Sequence, residues 1–167
     1  MEEEVDNIVN YTIELIQGIT YTIDVHDLMN TEEKQRKKDT MNIIQQIATG
    51  SACYKCGGRI NIRGLMLHSV GCNQPKAEVF ANIWNRSNDV CCHGLVDAEK
   101  AIQTLPWNYR GWHCGESGNN THIGIEMTEP SQIHYVGGCT FTCDNVPAAR
   151  EHVRRTYDNA VELFAFL

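Results

Sequence analysis

Two short apolar segments limit the possible fold of this chain more than any other feature. Each carries one residue suited to acid–base or metal chemistry. Residues 64–69 (Gly-Leu-Met-Leu-His-Ser) place His68 at the end of an apolar run, and residues 123–127 (Ile-Gly-Ile-Glu-Met) do the same for Glu126. Short apolar runs of this kind predict buried β-strands. Because open sheets bind their ligands at the carboxyl ends of strands, His68 and Glu126 are the first candidates for a functional site.

Strands and helices alternate from residue 60 onward, which is typical of an α/β domain. The pattern predicts a strand at 65–68, a helix at 76–85 after a proline, and strands at 90–96 and 123–127. A final helix is predicted from about residue 147 to 167, because its apolar residues recur on one face and Asn145 precedes it as a cap. We therefore expect a central mixed β-sheet flanked by helices.

The N-terminal part of the chain follows no single hydrophobic period. Apolar positions predict a helix over residues 5–18. Residues 19–25 fit a strand better, but the pattern does not decide the secondary structure of residues 19–28. A charged stretch follows, and a second short helix is predicted at 41–48. These predictions give the chain an extra N-terminal segment that is partly helical.

At 167 residues the chain is long enough for one domain with a core of its own, and two full domains are not expected. Residues 49–51 (Thr-Gly-Ser) are typical of a boundary. We therefore divide the chain into a segment of unknown role, residues 1–50, and a main domain, residues 51–167. The main domain holds both candidate site residues.

Charge and hydropathy limit the partners and the cellular compartment that we expect for this protein. A net charge of -7 argues against nucleic-acid binding, which needs a surplus of lysine and arginine. No apolar run approaches the roughly 18 residues of a membrane span, and the N-terminus is acidic where an export signal would be basic. We expect synthesis in the cytoplasm without a signal peptide, and no membrane insertion.

The eight cysteines show no disulfide framework that could be written down from their spacing. Cys53 and Cys56 have the spacing of metal ligands, and with Cys139 and Cys143 they could form a structural zinc site in an interaction protein. Two neighbouring cysteines at 91 and 92 are interpreted instead as small buried hydrophobic residues, which is how free cysteine usually behaves.

Five short motifs, taken together, point to a known family. They are His-Ser at 68–69, Trp-Asn-Arg at 84–86, Gln-Thr-Leu-Pro-Trp-Asn at 103–108, Gly-Trp-His at 111–113 and Ile-Gly-Ile-Glu at 123–126. With this set the chain resembles the zinc-dependent N-acetylmuramoyl-L-alanine amidases of the bacteriophage lysozyme and peptidoglycan-recognition type. The resemblance covers roughly two-thirds of the chain, from about residue 53 onward. It implies an α/β amidase fold, a Zn²⁺ cofactor and peptidoglycan of the bacterial cell wall as substrate.

The resemblance also implies roles for the two strand residues. His68 takes the position of the first zinc ligand, and Glu126 takes that of the general base toward water. The other two ligands of the family would lie beyond Leu167. Residues 163–167 form an apolar final turn without a polar cap, which predicts that the sequence is cut at this end. We expect such a domain to self-associate as a homo-oligomer or to pair with a complementary C-terminal fragment.

A loop rich in aromatic residues supplies the candidate contacts to the substrate. Trp107, Trp112 and His113 are expected to line a groove for sugar and stem peptide, since aromatic faces suit such ligands. Asn120 either positions the stem peptide or forms a turn. His93 is interpreted as a packed structural histidine, because the residue before it is a cysteine where some relatives have a tyrosine.

Two functions from different classes follow from the resemblance. The first is a peptidoglycan hydrolase that cleaves the bond between N-acetylmuramic acid and L-alanine with a zinc-activated water. The alternative is a non-catalytic module that binds peptidoglycan or muropeptide, because only one of the expected zinc ligands is present in the sequence. The site of four cysteines described above stands as a third, separate hypothesis.

Overall fold

The computed structural model describes residues 11–14, 20–23 and 43–167. Its strands are β1 (Tyr11–Glu14), β2 (Thr20–Ile23), β3 (Ile43–Gln45), β4 (Gly64–Ser69), β5 (Gly94–Val96), β6 (Ala101–Gln103), β7 (His122–Met127), β8 (Ile133–Gly137) and β9 (Thr140–Cys143). Its helices are α1 (Ala52–Cys56), α2 (Ala77–Trp84), α3 (Glu116–Asn119) and α4 (Val146–Phe166).

Five strands form the main sheet in the order β3-β6-β5-β7-β4. Three neighbouring pairs are parallel (β3 with β6, β5 with β7, β7 with β4), whereas β5 and β6 are antiparallel. The expected mixed sheet is therefore confirmed. The two pairs β1–β2 and β8–β9 form separate antiparallel sheets of two strands each.

The final helix covers one face of the main sheet. Asn145 caps α4, because its Oδ1 accepts a hydrogen bond from the backbone N–H of Ala148 at 3.1 Å. Ala160 and Leu163 of this helix are buried in one cluster with Ile125 of the sheet. The predicted helix at 147–167 is confirmed, and burial of its apolar face holds it on the sheet.

The opposite face is covered by two elements side by side. Helix α2 packs its buried Ala77, Ala81 and Trp84 in one cluster with Leu95 of β5 and Ile102 of β6. Next to it, residues 111–119 lie over β4 and β7, where a Cβ on Gly124 would fall 2.5 Å from the ring of His113. The predicted helix at 76–85 and the predicted strands at 65–68 and 123–127 are confirmed. The predicted strand at 90–96 is shorter, Gly94–Val96.

The N-terminal predictions need correction. Residues Tyr11–Glu14, predicted to be helical, form a strand paired with Thr20–Ile23, and the rest of the helix predicted at 5–18 lies outside the described residues. The helix predicted at 41–48 is also wrong, because Ile43–Gln45 form a strand parallel to Ala101–Gln103. Both segments are rich in β-branched residues, which favour a strand once a partner strand is available.

A disulfide bond joins Cys53 of α1 to Cys91. Both cysteines are buried beside Leu105. Cys53 is therefore not free to ligate a metal, which removes it from the hypothetical site with Cys56, Cys139 and Cys143. Cys91 is buried as expected, but as half of a disulfide bond.

Among the described residues, no helix combines the length and apolar character that crossing a bilayer requires.

Candidate active site

His68 and Glu126 lie side by side on neighbouring strands. In the parallel pairing of β4 with β7, His68 is the register partner of Glu126. Register partners on adjacent strands point their side chains to the same face. The imidazole and the carboxylate therefore meet near the carboxyl ends of both strands, on the face that residues 111–119 cover. The structure thus brings together the two residues singled out from the sequence.

The two carboxylate oxygens of Glu126 have different surroundings. Oε1 accepts a hydrogen bond from Sγ of Cys92 at 3.4 Å, whereas Oε2 is buried and has no hydrogen-bond partner among the described residues. Burial raises the pKa of Glu126 to about 7, the charge of Glu129 acts in the same direction, and the hydrogen bond from Cys92 opposes them. A carboxyl group with a pKa near neutrality is suited to take up and release a proton.

The ring of His113 lies against that of His68. Its Nδ1 is 2.9 Å from Nε2 of His68, and its Nε2 is 3.3 Å from the backbone carbonyl oxygen of His122. Because a carbonyl only accepts, Nε2 of His113 carries the proton and its Nδ1 presents a lone pair toward His68. Gly124 is needed beneath this ring, since a Cβ there would lie 2.5 Å from the ring atoms Cγ and Nδ1.

Both rings are held in the neutral form. Burial lowers the pKa of His68. The pKa of His113 falls to about 3, first through burial and then through the neighbouring His68 and His93. Neutral imidazole is the form that ligates metals.

The described residues offer one cluster of donors that could hold a metal ion. It consists of Nε2 or Nδ1 of His68 and His113 and Sγ of Cys114, and these atoms lie within 4.8 Å of one another. Two imidazoles and one thiolate form a donor set that zinc accepts, and three protein ligands leave a fourth position open. The donor chemistry fits a zinc ion, which would take the place of the proton between Nε2 of His68 and Nδ1 of His113.

Asn119 fixes the loop that carries two of these donors. Its Oδ1 accepts hydrogen bonds from the backbone N–H of His113 at 2.8 Å and of Cys114 at 3.0 Å, and its side chain is buried. An amide oxygen shared by two successive N–H groups holds the turn in one conformation. Neighbouring Asn120 is exposed, and its Oδ1 accepts from Nε of Arg110 at 2.7 Å.

His93 has a structural role. Its Nδ1 accepts from the backbone N–H of Gly124 at 3.0 Å, and its Nε2 donates to the carbonyl oxygen of Tyr109 at 2.8 Å. Both ring nitrogens are thereby occupied by backbone groups, and burial lowers the pKa of His93 to about 4. The ring ties the aromatic loop to β7, which agrees with its interpretation as a packed histidine.

The predicted aromatic contacts do not gather at one place. Trp107 packs against the core cluster under α4, on the other side of the sheet from His68. Trp112 packs against the buried group of Cys53, Cys91 and Leu105. His113 lies beside His68 as described, so of the four predicted substrate contacts only His113 is shown in contact with one of the two strand residues.

Glu129 holds the segments that follow β4 and β7. Its Oε1 accepts hydrogen bonds from the hydroxyl of Ser69 and from the backbone N–H of Gly71, and its Oε2 accepts from the hydroxyl of Tyr135 at 2.8 Å. The side chain is buried, and its charge contributes to the raised pKa of Glu126. It connects the edge of the site to the β8–β9 hairpin.

Sequence reasoning missed the parts that Cys92, Cys114 and Glu129 have in this site. Each belongs to a segment with no motif of its own, and its position depends on contacts between residues far apart in the chain. One signal was available: His113 and Cys114 adjoin in sequence, and such pairs of potential ligands merit attention.

The chain is similar in sequence to known amidases. A profile of the family described as N-acetylmuramoyl-L-alanine amidase matches residues 58–165. The amidase CwlA of a Bacillus species is 30% identical over 76 residues, which are 43% of this chain and 30% of CwlA. The amidase XlyA of Bacillus subtilis (strain 168) is 30% identical over 95 residues, which are 53% of this chain and 32% of XlyA. The matched region thus spans less than a third of the length of these relatives.

Two solved structures share the fold. PlyL aligns with a TM-score of 0.55 and 24% identity, over 74% of this chain and 70% of that chain. The Staphylococcus aureus hydrolase AmiA, solved in complex with its ligand, aligns with a TM-score of 0.51 and 16% identity, over 95% of this chain and 65% of that chain. At these identities the likeness concerns the arrangement of strands and helices.

Proposed function

The chain belongs to the N-acetylmuramoyl-L-alanine amidase family, and we propose that it hydrolyses the amide bond between the lactyl group of N-acetylmuramic acid and L-alanine in peptidoglycan. One observation carries this proposal. Glu126 places a buried carboxylate oxygen, without a partner among the described residues, next to the imidazole of its register partner His68.

Zinc is the cofactor that the donor set favours. His68 would hold it, and His113 and Cys114 are the described residues whose donor atoms lie within reach of the same ion. When bound, zinc with an open position polarises the carbonyl oxygen of the amide and makes water acidic enough to attack at neutral pH. This assignment gives His113 a ligand role in place of the substrate contact expected from the sequence.

Glu126 would move the protons of the reaction. Its free Oε2 accepts the proton of the attacking water while the new C–O bond forms at the lactyl carbonyl carbon. The same oxygen then donates that proton to the nitrogen of L-alanine as the C–N bond breaks. The products are a lactyl carboxylate on the sugar and a free amino group on the peptide. In the metal-free protein burial raises the pKa of Glu126 to about 7, which brings this carboxyl group toward the range in which it can both take up and release a proton near neutral pH.

The surroundings of Glu126 support catalysis over binding alone. A groove that only binds muropeptide has no need of a buried carboxylate whose Oε2 lacks a partner, because such a group destabilises the fold. Groups with strongly perturbed pKa values, gathered in one place, are typical of sites that carry out chemistry.

The test is digestion of purified peptidoglycan by the zinc-loaded protein. We expect new N-terminal alanine, detected by amino-group labelling, without new reducing sugar ends. Glu126→Gln should retain zinc and lose at least 100-fold in rate, since general acid–base catalysis contributes about 10² to 10⁴. Glu99→Gln, a change at an exposed carboxylate, serves as the matched control.

Zinc affinity, measured by competition with a chelator, tests the ligands one at a time. His68→Ala, His113→Ala and Cys114→Ser should each weaken binding at least tenfold. A loss confined to His68→Ala would place the other ligands elsewhere in the polypeptide, as the family resemblance implies. Peptidoglycan that is bound and pelleted without release of amino groups would contradict the hydrolase and favour the binding module.

A further inference from the structure

Cys92 contacts Glu126 from a segment whose backbone is fixed by hydrogen bonds. Its side chain is fully buried, and its backbone carbonyl accepts a hydrogen bond from the hydroxyl of Thr104 at 2.8 Å. The next residue donates its backbone N–H to the carbonyl oxygen of Gly124 at 2.9 Å. Both bonds hold the peptide group after Cys92. The peptide group before it is held by the backbone N–H of Trp112, which donates to the carbonyl oxygen of Cys91 at 2.9 Å, so the Cys92 sulfur stands at a defined place beside β7.

The contact between Cys92 and Glu126 has a direction. A carboxylate has only acceptor atoms, so the thiol must be the donor in the 3.4 Å contact between Sγ and Oε1. The thiol retains its proton, because burial raises the pKa of Cys92 well above its usual range. The torsion at the end of a glutamate side chain is otherwise broad, so without this contact the plane of the carboxylate could rotate.

Resting on the function proposed above, we propose that Cys92 is a positioning residue for Glu126. Its S–H group holds Oε1, so that Oε2 remains unpartnered and available for the proton of the attacking water. Cys92 itself does not touch the substrate in this role. It acts by fixing the plane of the carboxylate, and with it the direction in which Oε2 points.

A purely space-filling role for Cys92 makes a different prediction. Alanine and serine are close in size, so both substitutions would affect packing in the same way. Serine keeps an O–H donor for Oε1, whereas alanine has none. If Cys92 positions the carboxylate, Cys92→Ser should preserve the reaction and Cys92→Ala should impair it.

The experiment measures kcat and KM for amide cleavage by wild type, Cys92→Ala and Cys92→Ser. Loss of a hydrogen bond to a charged group should lower kcat of Cys92→Ala about tenfold with KM unchanged, whereas Cys92→Ser should stay within about threefold of wild type. Cys56→Ser, at an exposed free cysteine, is the matched control. Zinc content and melting temperature confirm that each variant is folded and loaded.

An infrared measurement tests the hydrogen bond without relying on activity. The S–H stretching band assigned to Cys92, by difference from Cys92→Ser, should lie at lower wavenumber than that of Cys56. It should shift upward in Glu126→Ala. An unshifted band, or equal kcat for Cys92→Ala and Cys92→Ser, would overturn the positioning role.

The two proposals fail in distinguishable ways. If Glu126→Gln abolishes cleavage while Cys92→Ala does not lower kcat, the amidase function stands and the role of Cys92 is refuted. If zinc-loaded wild type releases no amino groups, the proposed function is refuted, and the catalytic role of Cys92 falls with it.

Discussion

Replacing Glu126 by glutamine should stabilise the metal-free protein, and the gain should depend on pH. The folded state raises the pKa of this carboxyl group from 4.5 to about 7. The folded protein therefore binds the proton more tightly than the unfolded chain does. The ionised form of Glu126 opposes folding, and this penalty is absent below about pH 4.5, grows as the pH rises toward 7, and is constant above it.

The size of the effect follows from the same pKa values. At about 1.4 kcal/mol for each pKa unit, the gap between 4.5 and about 7 corresponds to about 3 kcal/mol at pH 8. At pH 5 most of the carboxyl group is still protonated in the folded state, and the penalty is about 1 kcal/mol. Glutamine is neutral at both pH values, and its side-chain oxygen can still accept the hydrogen bond from Cys92.

Urea unfolding of wild type and Glu126→Gln at pH 8 and pH 5, with a chelator present, measures this difference. We expect the variant to be more stable by about 2 to 3 kcal/mol at pH 8 and by about 1 kcal/mol or less at pH 5. Glu99→Gln, at an exposed position, should change the free energy of unfolding by less than about 0.5 kcal/mol at either pH. An advantage of Glu126→Gln that is equal at both pH values, or absent at pH 8, would refute the reasoning.

Three further predictions concern the supports of the site. Burial lowers the pKa of His93 from 6.5 to about 4, so the folded protein resists protonation of this ring. Between pH 7 and pH 5 the free energy of unfolding should therefore fall by about 2 kcal/mol more in wild type than in His93→Gln. Equal falls for the two proteins in urea unfolding would contradict this. Gly124→Ala should displace the ring of His113 and weaken zinc binding at least tenfold in a chelator competition; unchanged affinity would exclude His113 as a ligand. Leu163→Ala, at a side chain 1% exposed, should cost about 3 kcal/mol in urea unfolding, whereas Phe166→Ala, at one 57% exposed, should cost little.

The part of the site that the sequence predicted depends on local patterns. Apolar runs before His68 and before Glu126 predicted two strands, and both strands are present. When such strands pair in parallel, the residues near their carboxyl ends come to the same edge of the sheet, so two separate patterns locate one site. The final helix was predictable for the same reason, because its cap at Asn145 and its apolar face are local features.

The parts that the sequence did not predict depend on contacts between distant segments. Ile43–Gln45 is a strand only because Ala101–Gln103 lies beside it, and a segment of three residues is too short to show a period of its own. The disulfide between Cys53 and Cys91 joins residues 38 positions apart. Likewise, Cys114 reaches His68 through a loop whose conformation depends on the buried side chain of Asn119.

The features that destabilise the fold around Glu126 are also those that suit this site to its proposed chemistry. Oε2 of Glu126 is buried without a partner in the described part of the chain, near two neutral imidazoles, His68 and His113, that are hydrogen-bonded to each other at 2.9 Å. Buried groups of this kind are costly unless something satisfies them. A cation held by the two imidazoles would take the place of the hydrogen bond between them, and its charge would favour the ionised carboxylate. Metal binding of the kind proposed above would thereby offset part of the cost of burying Glu126.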